Sequence, residues 1–228
     1  MADLTTVAQN LARFYRLVGS TSADAALVLQ GEAVNAVAYE AFTQGTRLAQ
    51  LWMLDQGYQG WRQRSAALSW TGTDATTGGK YSALPADFLR AYGNKTRSAL
   101  VEANGDRWGV QIDADEDYLT GDLFYFRDDE IWLARDAAPP TTIYLAYHYM
   151  HPLWTASVTI DFPLTSRGLL APYAAWVAAD DNWLPGGEEM LAKIERAVKK
   201  AEVMARKLSR QTKEPRRFNK PVRIASHW

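Results

Sequence analysis

Residues 81–93, YSALPADFLRAYG, decide how the middle of this chain is interpreted. A proline between two aromatic ends could belong to a substrate loop or to a corner of a scaffold. Pro85 fixes its own φ and disfavours helical backbone at Leu84, so a strand is expected to end there. Asp87 then suits a turn better than acid-base chemistry, and Phe88 opens a new run that packs. The segment therefore predicts a corner between two strands.

Short runs around this corner have the period of two that is typical of antiparallel strands. Asn104 and Gly105 predict a hairpin, because both central positions of the favoured tight turn need a positive φ. A second hairpin is expected to turn at residues 128–130. In TTIYLAYHYM, residues 141–150, both faces carry bulky side chains, which predicts a central or covered strand.

Helical patterns flank this region on both sides. Apolar residues at steps of three and four predict a helix that ends at Gly19 and a long helix over residues 25–54. Later helices are predicted over residues 172–179 and 188–210, the first of them opened by a proline. The apolar stripe of the last helix has a period of 3.5 residues and consists of Met190, Ile194, Ala197, Ala201, Met204 and Leu208.

These patterns predict an α+β fold. The N- and C-terminal helices are expected to form one helical bundle, with an antiparallel β-module inserted between them. The predicted parts are residues 1–58 and 166–210 for the helices, 59–165 for the β-module, and 211–228 for an extended basic tail. The tail has no regular period, so it is expected to become ordered only on a partner.

Charge is segregated along a chain whose net charge is only −1. Residues 1–187 carry 13 basic and 21 acidic side chains, whereas residues 188–228 carry 12 and 5. Ten of the acids lie within residues 104–136. The basic end suits docking on an acidic partner or on nucleic acid, although such tails are often only solvated.

Several classes of protein are excluded or disfavoured by the composition. The chain has no cysteine, which excludes disulfides, thiolate zinc sites and cysteine nucleophiles. The start lacks a basic segment followed by an apolar run, and the most apolar stretch, LLAPYAAWVAA, is short and contains a proline. Neither a signal peptide nor a membrane span is therefore expected.

The best metal candidate is DADED, in which three acids match the first acidic positions of a calcium loop. Tyr118 replaces the glycine that such a loop needs, and Phe124 replaces its glutamate, so an acidic loop is the favoured interpretation. His148 and His151 are expected on opposite faces of a strand, which does not suit a shared metal. Neither a metal nor a cofactor is predicted.

No phosphate loop, serine elbow or zinc helix motif occurs. Paired carboxylates do occur, so the absence of a motif does not by itself exclude a glycosidase. The nine tryptophans and eleven tyrosines could line a sugar groove, with paired acids beside them. At strand and helix spacing, however, such residues more often belong to the core and to interfaces.

Four segments resemble the head-to-tail adaptor, or connector, family of tailed bacteriophages. YSALPADFLRAYG is similar to the family's Y-x-LP-x-DF turn. IWLARDAAPPTTIYLAYHYMHPLW, residues 131–154, is similar to its strand, proline turn and aromatic strand. VNAVAYEAF, residues 34–42, resembles its early helix with an asparagine, here Asn35, and LLAPYAAWVAADDNW, residues 169–183, resembles its closing helices. The resemblance rests on order and spacing and covers most of residues 4–210.

The resemblance implies a structural virion protein, made in the host cytoplasm, that has no enzymatic activity and no membrane partner. It would form a dodecameric ring beneath the portal protein and join the portal to tail or nozzle proteins. Genomic DNA would pass through the lumen without sequence-specific binding. A stopper or tail terminator is a related alternative. From a different class, the alternative is a carbohydrate-binding or glycan-hydrolysing β-module of a phage particle.

Two sets of site residues are predicted within this framework. The tail is expected to dock on the portal through Arg216, Arg217, Phe218, Lys220, Arg223 and Trp228. Asp113, Asp115 and Asp117 are expected to line the lumen, where like-charge repulsion would keep DNA from adhering. An exposed acidic loop is the other interpretation of these three residues.

Overall fold

The protein has a mixed α+β fold with helices and two β-sheets. The computed structural model describes residues 4–19, 32–70, 72–73, 79–93, 97–113, 121–181 and 187–211. The described helices are α1 (Val7–Leu17), α2 (Glu32–Asp55), α3 (Leu170–Asp180) and α4 (Gly187–Gln211), and a 3₁₀ turn (Arg167–Leu169) precedes α3. No helix among these residues is long and apolar enough to cross a bilayer.

The chain divides into two compact units. One contains the described residues up to Tyr58 together with those from His151 onward, and the other contains those from Gln59 to Met150. The sequence predicted that the β-module would extend to residue 165, whereas the contacts group residues from His151 onward with the helices. Hydrogen bonds hold this segment to helix α2. The Trp154 backbone N–H donates to Thr43 Oγ1 (3.1 Å), and the Trp154 indole N–H donates to Thr46 Oγ1 (2.8 Å).

The residues at the two ends of helix α1 determine where the helix begins and ends. Thr6 accepts from the backbone N–H of Gln9, whose side chain accepts from the N–H of Thr6, which forms a capping box. Gly19 follows the helix with a φ of 81°, as expected for a glycine stop. The predicted helix end at Gly19 is therefore confirmed.

Helix α3 is the centre of the helical unit and packs against α1, α2 and α4. Leu170, Ala174 and Ala178 are fully buried, and Pro172 is accommodated in the first turn, where its missing N–H costs nothing. Gly45 of α2 lies against the backbone of Ala174, because a Cβ at Gly45 would come within 2.5 Å of the Ala174 nitrogen. The two helix backbones are therefore in direct contact.

The predicted apolar stripe of α4 is partly wrong. Ile194 and Ala201 are buried as expected, but Met204 is 43% exposed and Ala205 is 5% exposed. A straight helix repeats every 3.6 residues, so a stripe with a period of 3.5 drifts off the buried face by the last turns.

The β unit contains two sheets. The four-stranded sheet has β1 (Arg62–Ala67), β9 (Ile143–Tyr149) and β4 (Phe88–Ala91) in that order, and β5 (Leu100–Glu102) also pairs with β9. The five-stranded sheet has the order β2 (Gly72–Thr73), β3 (Lys80–Ala83), β8 (Glu130–Leu133), β7 (Leu123–Arg127), β6 (Val110–Gln111). All pairs are antiparallel except β6 with β7.

One apolar cluster joins the two sheets. Leu100, Leu145 and Tyr147 come from the four-stranded sheet, and Phe124 and Ile131 come from the five-stranded sheet. These side chains are almost completely buried. The prediction that residues 141–150 contain a central strand is confirmed, since β9 pairs with β1, β4 and β5.

The Leu-Pro segment is the place where the chain passes from one sheet to the other. It leaves β3 in the five-stranded sheet and enters β4 in the four-stranded sheet. The Phe88 N–H donates to the Pro85 carbonyl (2.9 Å), and the Tyr147 hydroxyl donates to Asp87 Oδ1 (2.8 Å). Asp87 thus fixes a corner, as the sequence predicted.

The hairpin at Asn104 and Gly105 differs from the prediction in two ways. Only Gly105 has a positive φ (92°), and the Glu102 N–H donates to the Asp106 carbonyl, so the connection is a three-residue loop that ends in glycine. The chain then leaves this pairing after Trp108, and β6 joins the other sheet in parallel with β7. The strand that follows the turn, β6, therefore pairs with β7 rather than with β5.

Candidate functional site

The site residues predicted from the sequence are not brought together by the described structure. The six tail residues, Arg216, Arg217, Phe218, Lys220, Arg223 and Trp228, lie outside the described residues, and so do Asp115 and Asp117. Asp113 is described and exposed, two residues after β6. Within the described part of the chain, no group of three or more His, Asp or Glu side chains could hold a metal ion.

The two histidines of the predicted strand region are structural. His148 lies on β9 with Nδ1 2.8 Å from the Gly60 carbonyl, and burial, foremost, lowers its pKa. His151 lies with Nδ1 2.8 Å from the Pro152 carbonyl while Nε2 accepts from the Asp161 N–H, and burial likewise lowers its pKa. Burial therefore disfavours the charged form of each ring, and each Nδ1 is in hydrogen-bonding contact with a backbone carbonyl.

A concentration of arginines occupies the face of the four-stranded sheet that does not form the core. Directly paired residues of neighbouring strands share a face, and both Arg62 on β1 and Arg90 on β4 pair with His148. Arg64 pairs with Ala146, two residues away on the same strand and hence on the same face. One side of β9 is thus flanked by arginines on both edges.

A bulge on β4 places Arg90 there. Phe88 pairs with Tyr149 on the core face, and the next register position is Arg90 with His148, so Leu89 is an extra residue on β4. In a regular strand Phe88 and Arg90, which are two residues apart, would lie on the same face, and Arg90 would point toward the core. The bulge therefore directs a charged side chain to the outer face.

Tyr92 is the centre of the cluster. The guanidinium carbons of Arg62, Arg97 and Arg107 lie 3.9, 5.2 and 5.7 Å from the centre of its ring. Arg107 is fixed further, because its Nη1 donates to the carbonyls of Ser98 and Tyr92. Three cations thus surround one aromatic ring, which attracts each of them through its quadrupole.

A second pair extends the same face. The guanidinium carbon of Arg64 lies 3.4 Å from the ring centre of Tyr144, and Nη2 of Arg64 donates to the Glu102 carbonyl. Stacking and backbone hydrogen bonds restrict these long side chains before any ligand arrives. We call the set Arg62, Arg64, Arg90, Arg97, Arg107 and Tyr92 the arginine surface.

The electrostatics of the arginine surface favour an anion. Burial, foremost, lowers the pKa of Arg62 and of Arg107, and the positive charge of Arg97 lowers both further. Arg62 and Arg90 also act on His148, whose pKa they lower. Guanidinium groups present paired N–H donors that match carboxylate and phosphate oxygens, so the surface is suited to binding such groups rather than to bond making or breaking.

Sequence reasoning missed this surface, although a partial signal exists. Arg62 and Arg64 are two apart, which is the spacing of one face of a strand. Arg90 would have been assigned to the core face by the same rule, because the bulge at Leu89 has no clear mark in the sequence. Arg97 and Arg107 join the cluster only through the loop and hairpin that follow β4.

The helical unit has an open groove of about 830 Å³ between α1, α4 and the segment before α3. Its walls are mostly apolar, and Leu164 at its edge is 72% exposed. Arg13, Arg167 and Lys200 also line it, and burial lowers the pKa of Arg13. An apolar groove with a basic lining suits contact with a protein segment that carries apolar and acidic side chains.

Comparison with known proteins gives no match for this chain, either among protein-family models or among curated sequences.

Proposed function

We propose that the chain is a structural head-to-tail adaptor of a tailed bacteriophage, which forms a ring beneath the portal and continues the DNA channel toward the tail. The observation that carries the proposal is the division of the chain. Both ends contribute to one helical unit, and the middle makes a separate β unit. We propose further that the helices are the bundle of such an adaptor and the β unit is its inserted module.

Two surfaces support a role in assembly. A ring made of one chain needs heterologous interfaces, in which two different patches of each copy meet. The arginine surface and the basic-lined groove are each suited to contact an acidic protein surface, so each is suited to form one side of such an interface. Neither requires a cofactor or a reaction.

The alternative of a carbohydrate module has less support. Sugar-binding platforms need aromatic rings that are open to the ligand, but no Trp, Tyr or Phe among the described residues is exposed. Two of the partly accessible rings of the β unit, Tyr92 and Tyr144, are covered by guanidinium groups. The abundance of aromatic residues is explained by the core and by these arginine contacts.

Electron microscopy tests the proposal directly. The purified chain is mixed with the portal protein encoded by the same phage, and the portal alone is the control. We expect a ring of added density on one face of the portal. The absence of added density, together with binding to a bacterial polysaccharide, would replace the adaptor by the carbohydrate module.

A truncation tests the predicted portal contact of the tail. Removal of residues 211–228 is expected to abolish retention of the chain on immobilised portal in a pull-down. Equal retention of the truncated and full chains would show that the tail does not dock there, while the ring proposal would still be judged by microscopy.

A further inference from the structure

We propose that the solvent-exposed side of helix α4 binds the phosphate backbone of duplex DNA without regard to the base sequence. We call this side the basic face, and it consists of Lys193, Arg196, Lys199, Lys200, Arg206 and Lys207. The inference rests on the proposed function in one respect, because the phage genome would be the DNA that is bound. It goes beyond that function by assigning contact with DNA to named residues of the helical unit.

The six cations share one side of α4 because of their spacing along the helix. At about 100° per residue, they fall within an arc of about 140° around the helix axis. Ile194, Ala201 and Ala205, which are buried, lie on the opposite side. All six cations are exposed. The side of α4 that faces away from the core is therefore the charged one.

The acids of the same stretch do not interrupt the basic face. Residues 193–211 carry seven basic and two acidic side chains, and the acids are Glu195 and Glu202. Both fall outside the arc of the cations, at one of its edges. Glu202 also accepts from the Tyr173 hydroxyl (2.8 Å). Acids farther away than a Debye length, about 8 Å at physiological salt, are largely screened, so the potential near this face is positive.

The described structure does not neutralise the basic face. The guanidinium carbon of Arg206 lies 5.2 Å from the ring centre of Trp52, which leaves its charge in place. Within the described part of the chain, the other five side chains form neither an ion pair nor a hydrogen bond. A polyanion can therefore bind these cations without first displacing an internal partner. The counterions that DNA releases on binding then favour association.

The length of the basic face matches a run of phosphates. Lys193 and Lys207 are fourteen residues apart, which corresponds to about 21 Å along the helix axis. One strand of duplex DNA carries about six phosphates over that distance. The number of cations on the face is therefore close to the number of phosphates that one strand can present to it.

Duplex DNA fits the basic face better than an acidic protein does. Four of the six cations are lysines, which are depleted from protein–protein interfaces but neutralise phosphates as arginines do. Val203, which is 47% exposed, is the only apolar residue among the described residues of this arc. The core of a protein interface is usually built from larger apolar or aromatic anchors. The charge also continues along the chain, because residues 212–228 add five basic and one acidic side chain.

Neutralisation of the basic face tests the proposal. The face variant carries Arg196→Gln, Lys199→Gln and Lys207→Gln. A control with the same charge change on exposed residues of the β unit carries Lys80→Gln, Arg127→Gln and Arg135→Gln. A tail variant carries Arg216→Gln, Arg217→Gln and Lys220→Gln. Glutamine has a helix propensity close to that of lysine and arginine, so α4 should remain folded, which circular dichroism checks. If helix is lost, the variant with Lys199→Gln alone takes the place of the face variant.

Binding of the full chain to two fluorescent DNA duplexes of unrelated sequence is measured by anisotropy at a series of salt concentrations, without portal. We expect the face variant to bind both duplexes at least about ten-fold more weakly than the wild type at about 50 mM salt. The control should bind like the wild type. The slope of log affinity against log salt concentration should become shallower by about three in the face variant, because three phosphate contacts are lost.

Several results would overturn the assignment. These are no measurable binding of the wild type at low salt, an equal loss in the control, and a loss confined to one duplex. Normal DNA binding by the face variant would overturn it too. In that case, a loss in the tail variant would assign the DNA contact to the tail, and a loss of retention of the face variant on immobilised portal would assign the face to an acidic protein surface. Ring density in the microscopy experiment is a separate readout, so the DNA contact can fail while the adaptor function stands, and the reverse.

Discussion

The two faces of β9 differ in the residues that pack against them. Ile143, Leu145 and Tyr147 point to one side and are buried in the cluster that joins the two sheets. Tyr144 and His148 point to the other side, where arginines lie over or beside them. Because side chains alternate between the two faces of a strand, one face of β9 packs in the core and stabilises the unit. The other face lies against charged side chains.

The largest effect is expected on the core face. Leu145→Ala should lower the free energy of unfolding by about 3 kcal/mol, because it leaves a cavity between the two sheets. Urea denaturation measures the change. Val110→Ala, at a side chain that is 48% exposed, is the control and should change the stability by less than about 0.5 kcal/mol. Equal effects of the two substitutions would mean that Leu145 is not in the core.

Tyr147 lies on the same core face and adds a polar contact. Tyr147→Phe should lower the stability by about 1–2 kcal/mol, because Asp87 loses the hydroxyl that donates to it at 2.8 Å. Burial, and then the hydrogen bond to Asp87, raise the pKa of Tyr147. This contribution is therefore complete below the unfolded pKa of about 10 and is lost as the pH rises above it.

The pH dependence gives a second measurement for Tyr147. The difference in stability between wild type and Tyr147→Phe should shrink above about pH 10. Stability curves from urea denaturation at a series of alkaline pH values measure it. A constant difference would show that the hydroxyl does not titrate with folding.

A smaller effect is expected on the outer face. Arg64→Ala should lower the stability by about 1 kcal/mol, because it removes the guanidinium stacked on Tyr144 and its bond to the Glu102 carbonyl. Arg127→Ala, at a side chain that is 62% exposed, is the matched control and should have almost no effect. A loss as large as that of Leu145→Ala would remove the distinction between the faces.

The smallest effect is a shift in titration rather than in stability. Arg62→Gln should raise the pKa of His148, because Arg62 is one of the charges that lower it after burial. The pKa of His148 is lowered in the folded state, so its contribution to stability is complete above about pH 6.5 and is lost as the pH falls. Proton NMR can follow the ring, since the chain has three histidines. An unchanged pKa would place Arg62 away from His148.

Local rules predicted the elements that depend on adjacent residues. The end of α1 at Gly19, the corner at Pro85 and the hairpin near Asp128 each follow from the backbone preferences of one or two residues. The central position of β9 could also be predicted, because a strand with large side chains on both faces is expected to be covered on both faces. These signals were sufficient to predict the coarse fold class, α+β.

Pairing between distant segments could not be predicted in the same way. The parallel pairing of β6 with β7 and the grouping of residues from His151 with the helices depend on contacts far apart in sequence. The arginine surface depends on such contacts as well, together with one extra residue at position 89. The sites predicted from the sequence were acidic and tail residues, because charges that are close together along the chain can be recognised in the sequence. A cluster formed by residues on different strands cannot be recognised in that way.

The pairing of β9 also determines the order in which the strands of its sheet can assemble during synthesis. Its partners β1, β4 and β5 come earlier in the chain, and Arg62 pairs with His148 across most of the β unit. A growing chain emerges from its N-terminus, so three strands exist before the strand that joins them. The four-stranded sheet is therefore completed by its central strand last. The four-stranded sheet can therefore form during synthesis only after residue 149 has been added, whereas the capping box of α1 involves only Thr6 and Gln9.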